Sequence, residues 1–209
     1  MSSPTSPRGR TKKNKEMKRF ILSAVCCLLS ASLTAQGLSE QKMLQKMAAS
    51  AEKIRTVQCN FTQTKQSKML KEAQVSKGKM LCQQPDKLRW EYTSPRPSTL
   101  VLEGNEARLL KGTDQGARNK FIGGMARLIM NSVAGKCLTD SKTFSVTAKE
   151  MPTEYVATLV PLKKDMKRLY SKLVLHYDIK QETVTGVELH EKNGDRTLIE
   201  LHDIRINGN

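Results

Sequence analysis

A strict alternation of apolar and polar side chains from about Val57 to Gly104 constrains the fold of this chain most. The apolar residues occupy every second position, at Val57, Cys59 and Phe61, at Met80 and Cys82, and at Leu88, Trp90 and Tyr92. A period of two is typical of antiparallel strands that place one face on a core and the other in water. Because Pro85, Pro95, Pro97 and Gly104 interrupt the pattern, we predict turns at these residues.

Two other stretches have the helical period. The first places apolar residues on one face, at Met43, Leu44, Met47, Ala48, Ala51 and Ile54. It predicts an amphipathic helix capped by Ser39, ending near Arg55 and packed on the sheet.

The second stretch of helical period places Phe121, Met125, Leu128, Ile129 and Ser132 on one face, with Gly135 as a stop signal. Gly123 and Gly124 each weaken this helix by roughly 1 kcal/mol. It is either a mobile cover for an apolar opening or a fixed core helix, and the sequence leaves both open.

The period of two returns in the last third of the chain. We predict strands at 143–148, 154–160, 171–179, 184–191 and 197–206, and a shorter one at 107–111. Asn193-Gly194 is a strong hairpin signal between two of them. No parallel βαβ rhythm and no internal repeat is present. The pattern predicts an antiparallel sheet of about ten strands with two helices, and a sheet of this size tends to curl.

The N-terminal 35 residues have the features of a secretory signal. Lys18 and Arg19 precede a short apolar run at 20–33, and Ala35 offers a cleavage point. We predict that Met17 is the true start, that residues 1–35 are an extension plus signal peptide, and that 36–209 form one soluble, exported domain. A retained membrane anchor is the disfavoured alternative, because the run is short.

The positive charge is not confined to the signal. The chain has a net charge of +16, and residues 36–209 hold 29 Lys/Arg against 19 Asp/Glu. This balance suits an anionic lipid surface or an acidic partner, or is simply a basic solvated surface. Basic runs interleaved with aromatic platforms are missing, so we predict no nucleic-acid binding.

The sequence contains none of the common catalytic motifs. His176, His190 and His202 all fall on predicted strands, and no nucleophile elbow, C-x-x-C pair, P-loop or H-E-x-x-H helix occurs. A dyad of Cys59 and His176 would require a chance meeting in the fold. We therefore predict no catalytic residues, no metal site, no cofactor and no enzymatic activity.

Three cysteines follow the signal, at positions 59, 82 and 137. If the first hairpin folds about residues 68–72, Cys59 and Cys82 face each other, and a cross-strand disulfide is one hypothesis. The preferred interpretation is that both are small buried apolar side chains.

The order and spacing of several short motifs resemble the LolA family of periplasmic lipoprotein carriers. These motifs are F-T-Q at 61–63, G-K at 78–79, P-x-x-x-R-W-x-Y from Pro85 to Tyr92, and L-V-x-x-G at 100–104. The resemblance covers about residues 38 to 206. It implies a mostly β, α+β fold: an incomplete, unclosed antiparallel β-barrel whose concave face is covered by helices.

The resemblance also implies a hydrophobic cavity for acyl chains. The interior positions of the family fall on Leu88, Trp90 and Leu100, and the family's lid falls on the second helix, with Phe121 and Met125 as candidates. Met80, Leu128 and Ile129 are added from periodicity alone. For each of these residues, ordinary core packing is the alternative.

A lid latch is implied as well. Family members often have an arginine before the strand-breaking proline, where this chain has Gln84; Arg89 and Arg127 are alternative latch candidates. The implied cargo is an acylated lipoprotein, received from an inner-membrane lipoprotein-releasing transporter and passed to an outer-membrane acceptor. We expect a monomeric carrier. A carrier or sensor for another acylated cargo and a lipid-independent protein-binding module remain the alternatives.

Overall fold

The computed structural model describes residues 40–69, 71–110 and 120–208, without the side chains of Lys120, Phe121, Ile122 and Met125. The predictions for residues 1–35 lie outside this range. Residues 40–53 are helical (α1). Lys42–Asn209 cluster as one compact unit, and Met1–Gln41 form another, of which only two residues are described. In the described ranges, no helix combines the length and apolar character needed to cross a membrane.

Five strands follow α1, and they coincide with the alternating stretches of the sequence. They are β1 Thr56–Gln66, β2 Gln74–Gln83, β3 Lys87–Ser94, β4 Ser98–Glu103 and β5 Glu106–Leu110. Gly104 allows the tight turn between β4 and β5, because its φ of 56° lies in the region that side chains with a Cβ rarely adopt. The strand predicted at 107–111 begins one residue earlier, at Glu106.

The second half begins with the second helix and contains five more strands. The elements are α2 Lys120–Val133, a 3-10 helix Lys136–Leu138, β6 Phe144–Glu150, β7 Glu154–Pro161, α3 Lys164–Leu169, β8 Tyr170–Asp178, β9 Thr183–Glu191 and β10 Arg196–Ile206. The five predicted strands are confirmed within two residues at each end. The sequence pattern missed α3 and the 3-10 helix, because each is too short to show a helical period.

All ten strands belong to one antiparallel sheet in the order β5-β4-β3-β2-β1-β10-β9-β8-β7-β6. The strands β1 and β10 pair in the middle, where Phe61 is opposite Leu201. The edge strands β5 and β6 do not pair with each other in the described part of the chain, so the barrel is not closed. The predicted fold, a mostly β, unclosed antiparallel barrel with helices, is confirmed.

One face of the sheet, called the inner face below, holds the apolar side chains. Cross-strand register aligns Met80 with Trp90, Trp90 with Leu100, and Leu100 with Leu109. The Phe61 ring stacks on Trp90 with 4.0 Å between the centroids. Cross-strand pairs of this kind are the unit of sheet stability, and here they form a continuous apolar row across four strands.

The outer face carries a charged network centred on Glu188 of β9. Its carboxylate lies 2.7 Å from Arg196 Nη2, 2.7 Å from His190 Nε2 and 3.2 Å from His176 Nε2, and Glu154 contacts the other nitrogen of His176 at 3.0 Å. Burial alone would raise the pKa of Glu188, but hydrogen bonds from Arg196, His190 and His176 outweigh it and lower the pKa to about 2. The network therefore holds an ionised carboxylate that links β7 to β10.

The three described cysteines are free and buried. Cys59 is opposite Met80 and Cys82 is opposite Val57, so the pairing is offset by two residues from the register that would place Cys59 opposite Cys82. The disulfide hypothesis is therefore wrong, and both residues act as small apolar side chains. Burial raises the pKa of Cys59 to about 12 and of Cys82 to about 11, which keeps both thiols protonated and unreactive.

Candidate functional site

The structure brings six of the eight predicted cavity residues into one apolar layer. Four lie on the inner face of β2, β3 and β4, and two lie on α2. All six are buried: Met80, Leu88, Trp90, Leu100, Leu128 and Ile129. The other two, Phe121 and Met125, belong to α2 by backbone, but their side chains lie outside the described residues. In this conformation the six side chains pack against each other and their neighbours in one core cluster.

The helix α2 covers the inner face from one half of the sheet to the other. It contacts β4 and β5, near one edge, and β9 in the opposite half. Its buried side chains include Ala126, Met130 and Val133, which sequence reasoning did not select. Val133 continues the stripe four residues after Ile129, so the helical period could have identified it. The helix therefore bridges the two halves of the open barrel.

The helix α1 covers the adjacent part of the inner face. Met47 is fully buried, and Ser50 Oγ accepts a hydrogen bond of 2.9 Å from the Tyr177 hydroxyl on β8. A Cβ at Gly135 would lie 2.8 Å from the Ala51 Cβ, so the turn after α2 touches α1 directly. A groove of about 360 Å³ runs beside this contact, lined by Ala48, Ala51, Glu52, Ile54, Arg55, Gly135, Lys136 and Thr139. The two helices thus form one cover with a groove at their junction.

The three predicted latch residues occupy different places. Arg127 of α2 donates a hydrogen bond from Nη2 to Asn105 Oδ1 in the β4–β5 turn, at 3.2 Å. Arg89 projects from the outer face, where its Nη2 lies 3.2 Å from Glu91 Oε2, so it cannot reach the helices. Of these two arginines, only Arg127 ties the helix to the sheet.

Gln84 lies where α1 leads into β1. Its backbone N–H donates to the Arg55 carbonyl at 2.8 Å, and its Nε2 lies 3.7 Å from Cys82 Sγ. Its Oε1 is buried and has no hydrogen-bond partner among the described residues. Gln84 therefore contacts the end of α1 and makes no described contact with α2.

The structure separates the two residues that could have formed a catalytic dyad. Cys59 faces the inner core, whereas His176 is held on the outer face by Glu154 and Glu188, so the two residues do not form a dyad. Among the described residues, no cluster of three or more His, Cys, Asp or Glu could hold a metal ion. The apolar layer under the two helices remains the candidate site.

An antiparallel sheet that stays open, with helices laid over its apolar inner face, defines the class of half-barrel proteins with a helical cover. The family model described as outer membrane lipoprotein carrier protein LolA matches residues 52–209 of this chain. The chain belongs to the LolA family, a family of carriers and chaperones and not of enzymes.

Several known proteins are similar along most of the chain. The outer-membrane lipoprotein carrier protein of Pseudomonas putida is 23% identical over 190 residues, which cover 90% of this chain and 88% of that protein. The protein of the same name from Legionella pneumophila is 28% identical over 159 residues, 74% of each chain. A crystal structure of a LolA superfamily protein from Nitrosomonas europaea aligns with a TM-score of 0.46 at 13% identity, covering 78% of this chain and 93% of that one.

Proposed function

We propose that this protein carries lipoproteins by enclosing their acyl chains between the inner face of the sheet and its helical cover. The observation that supports the proposal best is the position of α2, which contacts β4 and β5 on one side and β9 on the other. Movement of this one helix would expose Leu100 and Ile129 together, because Leu100 is buried on β4, which α2 contacts, and Ile129 is buried on α2 itself.

The energetics favour exchange of the helix for an acyl chain. Each CH₂ removed from water contributes about 0.8 kcal/mol, so a long chain can offset the loss of contacts between α2 and the sheet. Methionines line the interior at Met47, Met80 and Met130, and their flexible side chains can adapt to a new neighbour. The site therefore needs no enclosed cavity before cargo arrives.

The first half of α2 has features that suit movement. Gly123 and Gly124 lie side by side within it, and a Cβ at Gly124 would meet no atom within 4 Å. Two glycines in a helix lower its stability by about 1 kcal/mol each relative to alanine. Since no close neighbour explains a glycine at 124, we propose that the pair makes this segment easy to unfold or bend.

The family relationship and the names of the relatives support the wider role. We propose that the protein works in the periplasm as a monomer and without a cofactor. Its cargo would come from an inner-membrane lipoprotein-releasing transporter and pass to an acceptor in the outer membrane. The relatives are named outer-membrane lipoprotein carrier proteins, which favours a lipoprotein over other acylated cargo.

Native mass spectrometry of the protein purified from the periplasm, offered a triacylated lipopeptide, tests the proposal. We expect a complex that Leu100→Glu abolishes, because the new carboxylate would lie among the apolar side chains of the site. Val101→Glu is the matched control: it makes the same change on the same strand but on the outer face, and should still bind. Circular dichroism verifies that both variants fold. A wild-type protein that stays empty in excess lipopeptide would refute the carrier function.

Arg127→Ala should increase the affinity for lipopeptide about two- to fivefold. The hydrogen bond to Asn105 exists only in the covered state, and its removal should destabilise that state by about 0.5–1 kcal/mol. Arg89→Ala is the control, because this arginine contacts only the outer face. Fluorescence titration with labelled lipopeptide gives both affinities, and equal or weaker binding by Arg127→Ala would show that this residue is not a latch.

A further inference from the structure

The eight connections between neighbouring strands divide evenly between the two ends of the sheet. One end, called the α3 end, holds the connections 67–73, 95–97, 162–169 and 192–195. The opposite end holds 84–86, 104–105, 151–153 and 179–182. Because every pair of strands is antiparallel, this assignment follows from the topology alone.

Direct contacts join three connections of the α3 end into one surface. The backbone N–H of Lys68 donates to Asp195 Oδ1 at 3.2 Å, and the Ser67 hydroxyl donates to the same oxygen at 3.0 Å. The backbone N–H of Lys192 donates to the Leu169 carbonyl at 2.9 Å. The first hairpin tip, the last hairpin and α3 therefore lie side by side.

The α3 end is strongly basic and the opposite end is not. Its connections contain eight Lys or Arg residues and three Asp or Glu residues, whereas those of the opposite end contain one and two. All eight cations are exposed: Lys68, Lys71, Arg96, Lys163, Lys164, Lys167, Arg168 and Lys192. Of the three acids, Asp195 already accepts hydrogen bonds from the first hairpin tip. The connections of the α3 end thus differ in charge from those of the opposite end, with five more cations than acids against one fewer.

The same end also exposes most of the apolar side chains on the surface. Seven large apolar residues are exposed in the described part of the chain. Five of them lie in the α3-end connections or within two residues of them: Met69, Val75, Val160, Leu162 and Leu169. Met69 is 93% exposed at the tip of the β1–β2 hairpin, and in the sequence it lies between Lys68 and Lys71. Exposed apolar side chains interspersed with cations are typical of surfaces that touch a membrane.

The helix α3 shows this arrangement within a single segment. Met166 packs on the core, whereas Lys163, Lys164, Lys167 and Arg168 point away from it into solvent. Exposed Leu162 and Leu169 stand at its two ends. Residues 162–169 therefore pack on the core through Met166 and present four cations and two leucines to solvent.

We propose that the α3 end docks the protein on an anionic phospholipid bilayer. The cations would contact lipid phosphates, and Met69, Leu162 and Leu169 would enter the interfacial layer. Clustered Lys and Arg residues bind anionic leaflets with about a fivefold gain for each cation near the surface. This docking goes beyond acyl-chain enclosure and does not depend on it, because it uses another part of the molecule and bare lipid vesicles suffice to detect it.

Cosedimentation with vesicles tests the proposal. The wild-type protein should bind vesicles of phosphatidylglycerol and phosphatidylcholine, should not bind vesicles of phosphatidylcholine alone, and should be released by salt. Changing Lys163, Lys164, Lys167 and Arg168 to Gln should weaken binding at least about tenfold. The matched control changes exposed Lys53, Lys79, Lys87 and Arg205 to Gln, which removes the same charge from elsewhere and should change binding far less. Equal losses in the two variants, or no binding by wild type, would overturn the proposal.

A second measurement reports on contact directly. An environment-sensitive fluorophore attached to Met69→Cys should shift to the blue when anionic vesicles are added, whereas the same label on Met151→Cys, at the opposite end, should not. Cys59, Cys82 and Cys137 are buried, so these three thiols should not take up the label. A shift at position 151 and none at 69 would contradict the proposed orientation. Binding to an acidic peptide in the absence of any binding to vesicles would assign the surface to an acidic protein instead.

Discussion

A variant with Ala107→Cys and Gly123→Cys is expected to lose lipopeptide binding when its two new thiols are oxidised and to regain it on reduction. A Cβ built on Gly123 lies 3.4 Å from the Ala107 Cβ, close to the separation found in disulfides, about 3.5–4.5 Å. The bond would fix the first half of α2 to β5. If α2 must leave the inner face before cargo enters, oxidation should reduce affinity at least about tenfold, because 1.4 kcal/mol of added opening free energy already has that effect.

The single-cysteine variants provide the controls for this experiment. Under the same oxidant, Ala107→Cys and Gly123→Cys alone should bind as the wild type does, since Cys59, Cys82 and Cys137 are buried and their thiols are protonated. Fluorescence titration with labelled lipopeptide gives the affinities, and mass spectrometry verifies the bond. An oxidised double variant with full affinity would show that acyl chains enter by a route that does not involve α2.

Gly78→Ala is expected to destabilise the protein by about 3 kcal/mol or more, the upper part of the range for overpacked cores. A Cβ at this position would overlap the carbonyl oxygen of Glu91 on β3 and lie 2.5 Å from the tip of the Phe61 ring. The Glu91 carbonyl belongs to the backbone of β3, and it cannot move without breaking the β2–β3 pairing. Glycine is therefore required where β2 passes closest to both neighbours.

Gly124→Ala is the matched control for that substitution. Position 124 has open space around it, so the same added methyl group should stabilise the helix by about 1 kcal/mol. Urea unfolding monitored by circular dichroism gives both free energies of unfolding. A Gly78→Ala variant as stable as the wild type would mean that the Phe61–Trp90 stack relaxes more easily than its close packing indicates.

The strands could be predicted because one face of each is buried. The alternation at Val57, Cys59 and Phe61 reports directly on which side chains face the helices, and the structure buries all three. The same alternation argued against Arg89 as a latch. Arg89 lies between Leu88 and Trp90, whose side chains face the core, so its own side chain must lie on the outer face. Arg89 was a candidate only as a substitute for the arginine that the family often has at the position of Gln84, and the local pattern was the better guide.

Other features depend on contacts that no local pattern encodes. The register of Cys59 against Met80, and not Cys82, is set by how the chain turns at the hairpin tip. The tie between Arg127 and Asn105 joins residues from different elements. The concentration of charge at the α3 end appears only when the topology assigns each connection to an end, because the eight cations are scattered over four segments of the sequence.

The pairing of β1 with β10 has a consequence for how the molecule is made. These two strands stand side by side at the centre of the sheet, although all the other strands lie between them in the chain. Synthesis proceeds from the N-terminus, so β1 to β5 are made before β10, and β1 lacks its second neighbour until β10 is made. An unpaired strand edge is a ready template for aggregation, and long-range pairing is slow. A chain of this topology therefore exposes one edge of β1 until its last strand has been made.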